Sequence, residues 1–268
     1  MWDWINYKND KLVPTSSIPC SKRNLSDTFD DVNTSGFFYN GSWRPRACQL
    51  PVVDKTFLHR CLNGTQVLIL GDSNSRHQLV VLQTMTGCQH KMKRSKETKH
   101  APLQCDIDNL GLSIKYFLPR HPFYGSIGED LPNSVLHSTI QIMDGIPASG
   151  KYLVHLHQFL HLMPFHLSVA EHHLRLVRAA IQRLVSRNPS VLVVYQTAHT
   201  ALAGVYRNKQ TLGVYLLELQ RRMLRGLGDR VMLAVTWPMT LVSENSDPHP
   251  AIRDQFLKLY MGHLCGRF

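Results

Sequence analysis

Residues 67–76 constrain the fold of this chain more than any other stretch. The apolar run 67–70 predicts a short buried strand, and Gly71-Asp72-Ser73 ends it just before a segment with apolar residues at helical spacing. A serine on a strand-to-helix turn stands at the carboxyl edge of a sheet, where the amides of the helix N-terminus face an approaching group. That position suits a nucleophile whose oxyanion needs backbone donors. It equally suits a helix N-cap, so the tripeptide alone leaves both interpretations open.

Strand and helix signals alternate along the rest of the chain. The strand signals are an alternating segment at 112–118 and short buried-strand segments at 152–157, 191–194 and 231–235. The helix signals are apolar residues at helical spacing in 174–185, 212–223 and 251–264. Such alternation implies a parallel sheet covered on both faces, with ligands bound beyond the carboxyl ends of its strands.

The first 63 residues differ from the remainder of the chain. They carry aromatic residues and prolines with little periodicity, which predicts an irregular N-terminal cap without a core of its own. We therefore divide the chain into a cap, residues 1–63, and a main α/β domain, residues 64–268.

Cysteines and glycosylation motifs favour an oxidising compartment. The six cysteines form no Cys-x-x-Cys metal pair, so disulfides are expected, with buried free thiols as the alternative. Glycosylation motifs begin at Asn24, Asn33, Asn40 and Asn63. The N-terminus does not resemble a signal peptide, and no apolar run reaches the roughly 18 residues of a membrane span.

The net charge of +11 favours anionic partners without identifying them. Basic residues concentrate in 91–99 and in 175–187. The first stretch lacks the interleaved aromatics that stack on bases, so a solvated loop is a better interpretation than a nucleic-acid arm. In a secretory compartment, a sialylated or sulfated glycan is the more plausible anion.

Four histidines in the middle of the chain invite a metal interpretation. They are His155, His157, His161 and His166. No acidic or cysteine ligand accompanies them, whereas zinc sites require three or four ligands in fixed geometry. We therefore expect no metal, and assign these histidines to the core or to the surroundings of the site.

Several ordered motifs resemble one known family. Gly71-Asp72-Ser73 with Arg76 resembles the Gly-Asp-Ser-x-x-Arg block of the PC-esterase branch of SGNH/GDSL hydrolases. Further motifs resemble the neurexophilin and PC-esterase (NXPE) family within that branch. These motifs are Gly36-Phe37-Phe38 with Trp43 and Cys48, His161-Leu162-Met163-Pro164-Phe165, Trp237-Pro238-Met239-Thr240 and His249-Pro250. The likeness runs from about residue 36 to the C-terminus.

The resemblance implies a three-layer α/β/α SGNH-like fold with a central parallel sheet, and a specific chemistry. Ser73 would be the nucleophile and His249 its general base, in an O-acetyltransferase or esterase acting on glycans, with sialic acid as a candidate sugar. No bound cofactor is implied, although a transferase would use an acetyl donor such as acetyl-CoA. Family members enter the secretory pathway, so we expect a Golgi-lumenal or extracellular protein that meets a membrane only through an anchor outside this chain. A nucleic-acid partner is not expected.

The chain departs from the family pattern in two places. The aspartate usually found three residues before the histidine is replaced by Ser246, so Asp247 or Glu244 would orient the imidazole, or the pair would act as a dyad. The asparagine-and-glycine block of the oxyanion hole is also unrecognisable, and Gln158 or Gly125 is the candidate replacement donor.

The serine block and its departures lead to two further expectations. Arg76 would position Asp72 or bind a substrate carboxylate bidentately. Because the loss of one oxyanion donor typically costs about a hundredfold or more in turnover, an inactive glycan- or protein-binding member of the fold is the alternative function.

Overall fold

The computed structural model of the chain describes residues 16–31, 35–89, 103–118, 138–201 and 210–267. In chain order, the strands are β1 (Gly36–Tyr39), β2 (Ser42–Pro45), β3 (Thr65–Gly71), β4 (Leu103–Ile107), β5 (Leu112–Phe117), β6 (Lys151–His157), β7 (Val191–Gln196) and β8 (Val231–Ala234). The helices are α1 (Lys55–Cys61), α2 (Ser73–Thr86), α3 (Thr139–Asp144), α4 (Leu167–Arg187), α5 (Gln210–Leu224), α6 (Trp237–Val242) and α7 (Arg253–Leu264).

The central sheet has six strands in the order β4-β5-β3-β6-β7-β8. All neighbouring pairs are parallel except β4 with β5, which is antiparallel. The strand that leads to Ser73 therefore lies in the interior of the sheet. Its carboxyl end lies beside that of β6, because Gly71 pairs with His157.

Helices cover both faces of the sheet and give the expected three-layer α/β/α architecture. On one face, alternate residues of the strands pack with α3, α4 and α5, as Val193 does. On the other face, the intervening residues pack with α2 and α7, as Leu192 and Val194 do. Burial on both faces explains why an interior strand such as β7 is a continuous run of mainly apolar residues instead of an alternating one.

The N-terminal segment covers one edge of the sheet and shares its core. Thr28 accepts a hydrogen bond at its Oγ1 atom from the Leu233 amide of edge strand β8, at 2.9 Å. Asn40 and Gly41, with φ of 47° and 71°, form the two-residue loop that joins β1 to β2. Leu25 and Trp43 belong to the same hydrophobic cluster as α2 and α7, so this segment has no separate core among the described residues.

All six cysteines are in disulfides, as expected, and the free-thiol alternative is wrong. The pairs are Cys20–Cys48, Cys61–Cys265 and Cys88–Cys105. The second pair ties α1 to the end of α7. Three disulfides fit a secreted or lumenal protein. Among the described helices, none is long and apolar enough to cross a membrane.

The arginines of α4 serve the fold. Arg178 donates to the carbonyls of Met223 and Arg225, at the end of α5. Arg187 donates to the carbonyls of Met143 and Ile146, at the end of α3. Positive charge stabilises carbonyl-bearing helix ends. Two of the four arginines in 175–187 thus cap helix ends, whereas Arg175 and Arg183 form exposed ion pairs with Glu171 and Asp144. The basic stretch 91–99 lies outside the described residues.

Candidate active site

The serine is the first residue of α2, directly after β3. Asp72 is the N-cap, and its Oδ1 atom accepts a hydrogen bond from the Asn74 amide at 2.9 Å. Asp72 is buried, whereas Ser73 is partly exposed. The capping role that sequence alone left open therefore falls to the aspartate, and the serine presents its hydroxyl at the sheet edge.

The turn before the serine is fixed by close packing. A Cβ atom at Gly71 would lie 2.1 Å from the carbonyl oxygen of His157 and 2.2 Å from the Oγ atom of Ser75. Only glycine allows β3 and β6 to approach this closely. The hydroxyl of Tyr116 donates to the carbonyls of Gly71 and Asp72, at 3.1 and 3.3 Å. These contacts hold the backbone that carries Ser73.

His249 reaches the serine from the opposite end of the chain. Its Nε2 atom lies 2.8 Å from the Oγ atom of Ser73. The histidine lies on the loop between α6 and α7, and its side chain is 36% exposed. The structure thus brings together the two residues predicted as nucleophile and base, at hydrogen-bonding distance.

The environment of His249 favours its neutral form. Burial lowers the pKa of the imidazole below its ordinary value, and the positive charges of Arg253 and Arg76 lower it further. The negative charges of Asp247 and Asp72 act in the opposite direction. A neutral imidazole is the form that accepts a proton from a serine hydroxyl.

Asp247, the first candidate for the orienting acid, contacts the backbone more closely than the imidazole. Its Oδ1 atom accepts a hydrogen bond from the His249 amide at 2.6 Å but lies 3.8 Å from Nδ1, beyond hydrogen-bonding distance. The carboxylate is 67% exposed. Glu244, the second candidate, adopts a φ of 50°, and no described contact joins it to His249. Neither candidate acid is therefore within hydrogen-bonding distance of Nδ1, and the identity of the orienting acid stays a prediction.

A set of hydrogen bonds that sequence reasoning missed holds the histidine loop. His199, buried at the carboxyl edge after β7, donates from Nε2 to the Pro248 carbonyl at 3.1 Å. Asn245 donates to the carbonyls of Thr200 and Asp247, and the Thr200 hydroxyl donates to the Asn245 carbonyl. We call His199, Thr200 and Asn245 the loop latch. The only available sequence signal was the position of His199 just beyond a strand end.

Of the two oxyanion candidates, Gln158 lies in the described part of the chain. The side chain of Gln158 is buried, donates to Thr139 Oγ1 at 2.9 Å and accepts from His173 Nε2 at 2.8 Å. The nitrogen and the oxygen of this side-chain amide are thus both hydrogen-bonded within the fold. The role of Gln158 as an oxyanion donor remains a prediction. Gly125 lies outside the described residues.

The strand histidines bond within the protein. His155 donates to the Gln196 side chain and His157 to the Gln196 carbonyl, both at 3.1 Å. His166 is the N-cap of α4, where it accepts from the Ser168 amide, and His161 lies in a short 3₁₀ turn. The one described cluster with metal-ligand geometry is Cys20, Cys48 and His263, and its cysteines are bonded to each other.

The glycosylation motifs are accessible where they are described. Asn24, Asn40 and Asn63 are exposed, and Asn33 lies outside the described residues. Asn40 stands at the tip of the β1–β2 loop. Whether any of them carries a glycan stays a prediction.

Comparison with known families adds one finding. The family model described as "NXPE family member 4-like, C-terminal domain" matches residues 43–265. The match covers most of the chain, including the serine turn, the loop latch and the histidine loop. It begins within β2 and ends at the cysteine that follows α7.

Proposed function

The chain belongs to the NXPE family, and from this premise we propose that it is a serine-dependent O-acyl enzyme acting on glycans. The observation that carries the proposal is the 2.8 Å contact between Ser73 Oγ and His249 Nε2 at the carboxyl edge of the sheet. A nucleophile and a base at this separation meet the first requirement of covalent acyl transfer.

The reaction proceeds through an acyl-enzyme. Ser73 Oγ attacks the acyl carbonyl carbon while His249 Nε2 takes the hydroxyl proton. The tetrahedral intermediate collapses, its bond to the leaving group breaks, and His249 returns the proton to that group. Water then resolves the acyl-serine in an esterase, whereas a sugar hydroxyl does so in a transferase.

The amide of Ser73 is the first candidate for stabilising the oxyanion. It occupies the first position of α2, where backbone N–H groups lack an acceptor within the helix. The helix dipole also favours negative charge at this end. Gly125 and Gln158 remain candidate additional donors.

An acidic sugar suits the charge around the pair. Arg76 lies close enough for its positive charge to lower the pKa of His249. A guanidinium binds a carboxylate through two parallel hydrogen bonds, which a lysine does not reproduce. We propose an acetylated or acetyl-accepting sugar of the sialic acid type, with acetyl-CoA or a similar donor in the transferase case, in the Golgi lumen or outside the cell.

Arg76 is tested by comparing Arg76→Lys with Arg76→Gln. If the arginine binds a substrate carboxylate as a fork, the lysine variant raises KM for an acidic sugar by about tenfold and leaves kcat for an uncharged acetyl ester unchanged. An unchanged KM in the lysine variant contradicts bidentate binding of a carboxylate by Arg76.

The proposal is tested by labelling the purified protein with a fluorophosphonate serine probe. We expect wild-type protein to be labelled, and Ser73→Ala and His249→Ala to lose labelling while keeping their thermal unfolding temperatures. Ser75→Ala is the matched serine control, because its buried hydroxyl lies 3.4 Å from the His157 carbonyl within the fold. Labelled protein would then be assayed for hydrolysis and transfer with acetylated sugars.

A non-catalytic binding protein is the second candidate function. It is favoured by the 3.8 Å separation of Asp247 from His249 Nδ1 and by the engagement of the Gln158 side chain within the fold. Absence of labelling in folded wild-type protein, together with binding to a glycan array, would favour this function over the enzyme.

A further inference from the structure

A second histidine lies against the candidate base. His77 follows Ser73 by one turn of α2, so the two side chains share a face of the helix. The ring centroids of His77 and His249 are 4.8 Å apart, with the ring planes tilted by 45°. The imidazole that contacts the serine is therefore braced by another imidazole from the helix that carries the serine.

Arg253 determines which form of His77 is present. Its Nη1 atom donates a hydrogen bond to Nδ1 of His77. A guanidinium has no acceptor, so Nδ1 must be unprotonated and His77 must carry its proton on Nε2. Protonation of both nitrogens would break this bond and put a second positive charge beside Arg253.

The position of Arg253 is costly for helix formation. It is the first residue of α7, where the helix dipole disfavours positive charge. Its carbonyl also accepts a hydrogen bond from the Gln78 side chain at 3.3 Å. Successive residues of α2 thus hold both the side chain and the backbone of Arg253, which joins α2 to α7 beside the active site.

Among the described contacts of the histidine loop itself, none is a hydrogen bond to Nδ1 of the His249 ring. A bound acid at Nδ1 usually fixes the imidazole of a catalytic histidine, but Asp247 lies 3.8 Å from that atom. The hydrogen bonds of the loop latch hold the backbone before His249 and do not include its imidazole. The ring of His77, which packs against His249 and has a fixed tautomer, supplies the constraint that Asp247 does not.

We propose that His77 and Arg253 are a positioning pair for His249, in which His77 braces the imidazole and Arg253 holds His77 neutral in a single tautomer. This inference rests on the proposed function, because it concerns the base of that reaction. Arg253 also adds positive charge beside His249, which favours the neutral imidazole that accepts a proton.

The charged and titratable groups around His249 come from several elements. They are Asp72, Arg76 and His77 at the serine turn and α2, His199 after β7, Asp247 on the histidine loop and Arg253 on α7. Of the groups that act on the pKa of His249, Arg253 and Arg76 lower it and Asp247 and Asp72 raise it. Loss of the Arg253 charge should therefore raise that pKa.

The test combines histidine nitrogen NMR with the rate of fluorophosphonate labelling as a function of pH. In wild-type protein we expect His77 as the Nε2–H tautomer. In Arg253→Gln, the titration midpoint of His249 and the acidic limb of labelling should both move to higher pH, whereas in Arg253→Lys, which keeps the charge, both should stay near wild type.

Variants of His77 separate positioning from folding. We expect His77→Ala to slow labelling by about tenfold or more at the pH plateau. His77→Phe, which retains a ring, should recover most of the rate. His172→Ala, an exposed histidine on α4, is the control and should label as wild type does.

Three results overturn the proposal: mixed tautomers of His77, an unchanged His249 titration in Arg253→Gln, or labelling at the wild-type rate in His77→Ala. If folded wild-type protein is not labelled at all, the proposed function fails, whereas the two NMR readouts still decide whether this pair controls His249.

Discussion

The two halves of the site are built in different ways. On the serine side, a buried strand, a glycine and a helix N-terminus form a continuous backbone turn, and Tyr116 bonds its carbonyls. On the histidine side, a partly exposed loop carries His249, and side chains distant in sequence hold that loop. Ser73 is therefore fixed by local backbone geometry, and His249 by tertiary contacts.

This difference predicts which residues of the site can be substituted without loss of the fold. The serine turn is part of the core, so a substitution there disturbs folding and chemistry together. The histidine loop lies outside the sheet, so its latch can be weakened while the core stays intact. Substitutions on each side of the site test this division.

The largest effect is expected at Gly71. In Gly71→Ala, the new Cβ would lie 2.1 Å from the His157 carbonyl, so β3 and β6 must separate. We expect a loss of about 1–3 kcal/mol in the free energy of unfolding, from overpacking. Displacement of Ser73 should also reduce the labelling rate by about a hundredfold. Urea unfolding and probe labelling measure the two effects.

Gly228→Ala is the matched control for Gly71→Ala. Gly228 also has a positive φ, of 84°, but a Cβ there would have no heavy atom within 4 Å. We expect about 1 kcal/mol of destabilisation and normal labelling. Equal labelling losses in both variants would contradict the special role of the serine turn.

The same division explains what could be predicted from the sequence. The strand before Ser73 and the helix after it are local patterns, so the turn, the parallel strands and the long helices α4, α5 and α7 were all predictable. The chain gave weaker signals for α3 and for the antiparallel edge strand β4, because both are short and lie next to irregular stretches.

The histidine side was predictable only by family resemblance. Among fifteen histidines, nothing local distinguishes His249, and nothing local indicates that His199 bonds to the residue before it. Contacts between loops that are 49 residues apart depend on how the sheet brings its strand ends together. Arg178 and Arg187 of α4 show the converse, because their sequence suggested a charged surface and their contacts are with helix ends.

The next effect is expected at the loop latch. His199→Leu removes the hydrogen bond to the Pro248 carbonyl and should let His249 move away from Ser73. We expect labelling to slow by about 10–100-fold, with a smaller change in stability than in Gly71→Ala. His199→Gln, which can still donate, should restore part of the rate. A normal rate in His199→Leu would show that the latch does not position the base.

Lowering the pH should affect the serine side and the histidine side of the site differently. His155 on β6 is buried, and burial lowers its pKa from 6.5 to about 3. Because the unfolded chain binds this proton near pH 6.5 and the folded protein does not, stability falls as pH drops from 6.5 toward 3. His155 alone should contribute roughly 2 kcal/mol of this loss between pH 7 and pH 5.

His155→Leu tests this expectation. Urea unfolding of the variant should show a shallower loss of stability between pH 7 and pH 5 than in wild-type protein. On the histidine side, labelling should fall reversibly as His249 becomes protonated, before the protein unfolds. If wild-type protein lost labelling and folded structure at the same pH, the separation of the two sides would be contradicted.

The smallest effect is expected at Asp247. Asp247→Asn keeps the side-chain oxygen that accepts from the His249 amide, and the carboxylate it replaces lies 3.8 Å from Nδ1. We therefore expect labelling at the pH plateau within about threefold of wild type, whereas an acid bonded to Nδ1 would cost about 10⁴-fold when lost. Since the Asp247 charge raises the pKa of His249, its removal should also move the acidic limb of labelling to lower pH.

Asp247→Ala, which loses the backbone bond as well, should label more slowly than Asp247→Asn. A loss of several thousandfold in Asp247→Asn would instead make Asp247 the acid of a triad, and would mean that the histidine side closes further when substrate binds.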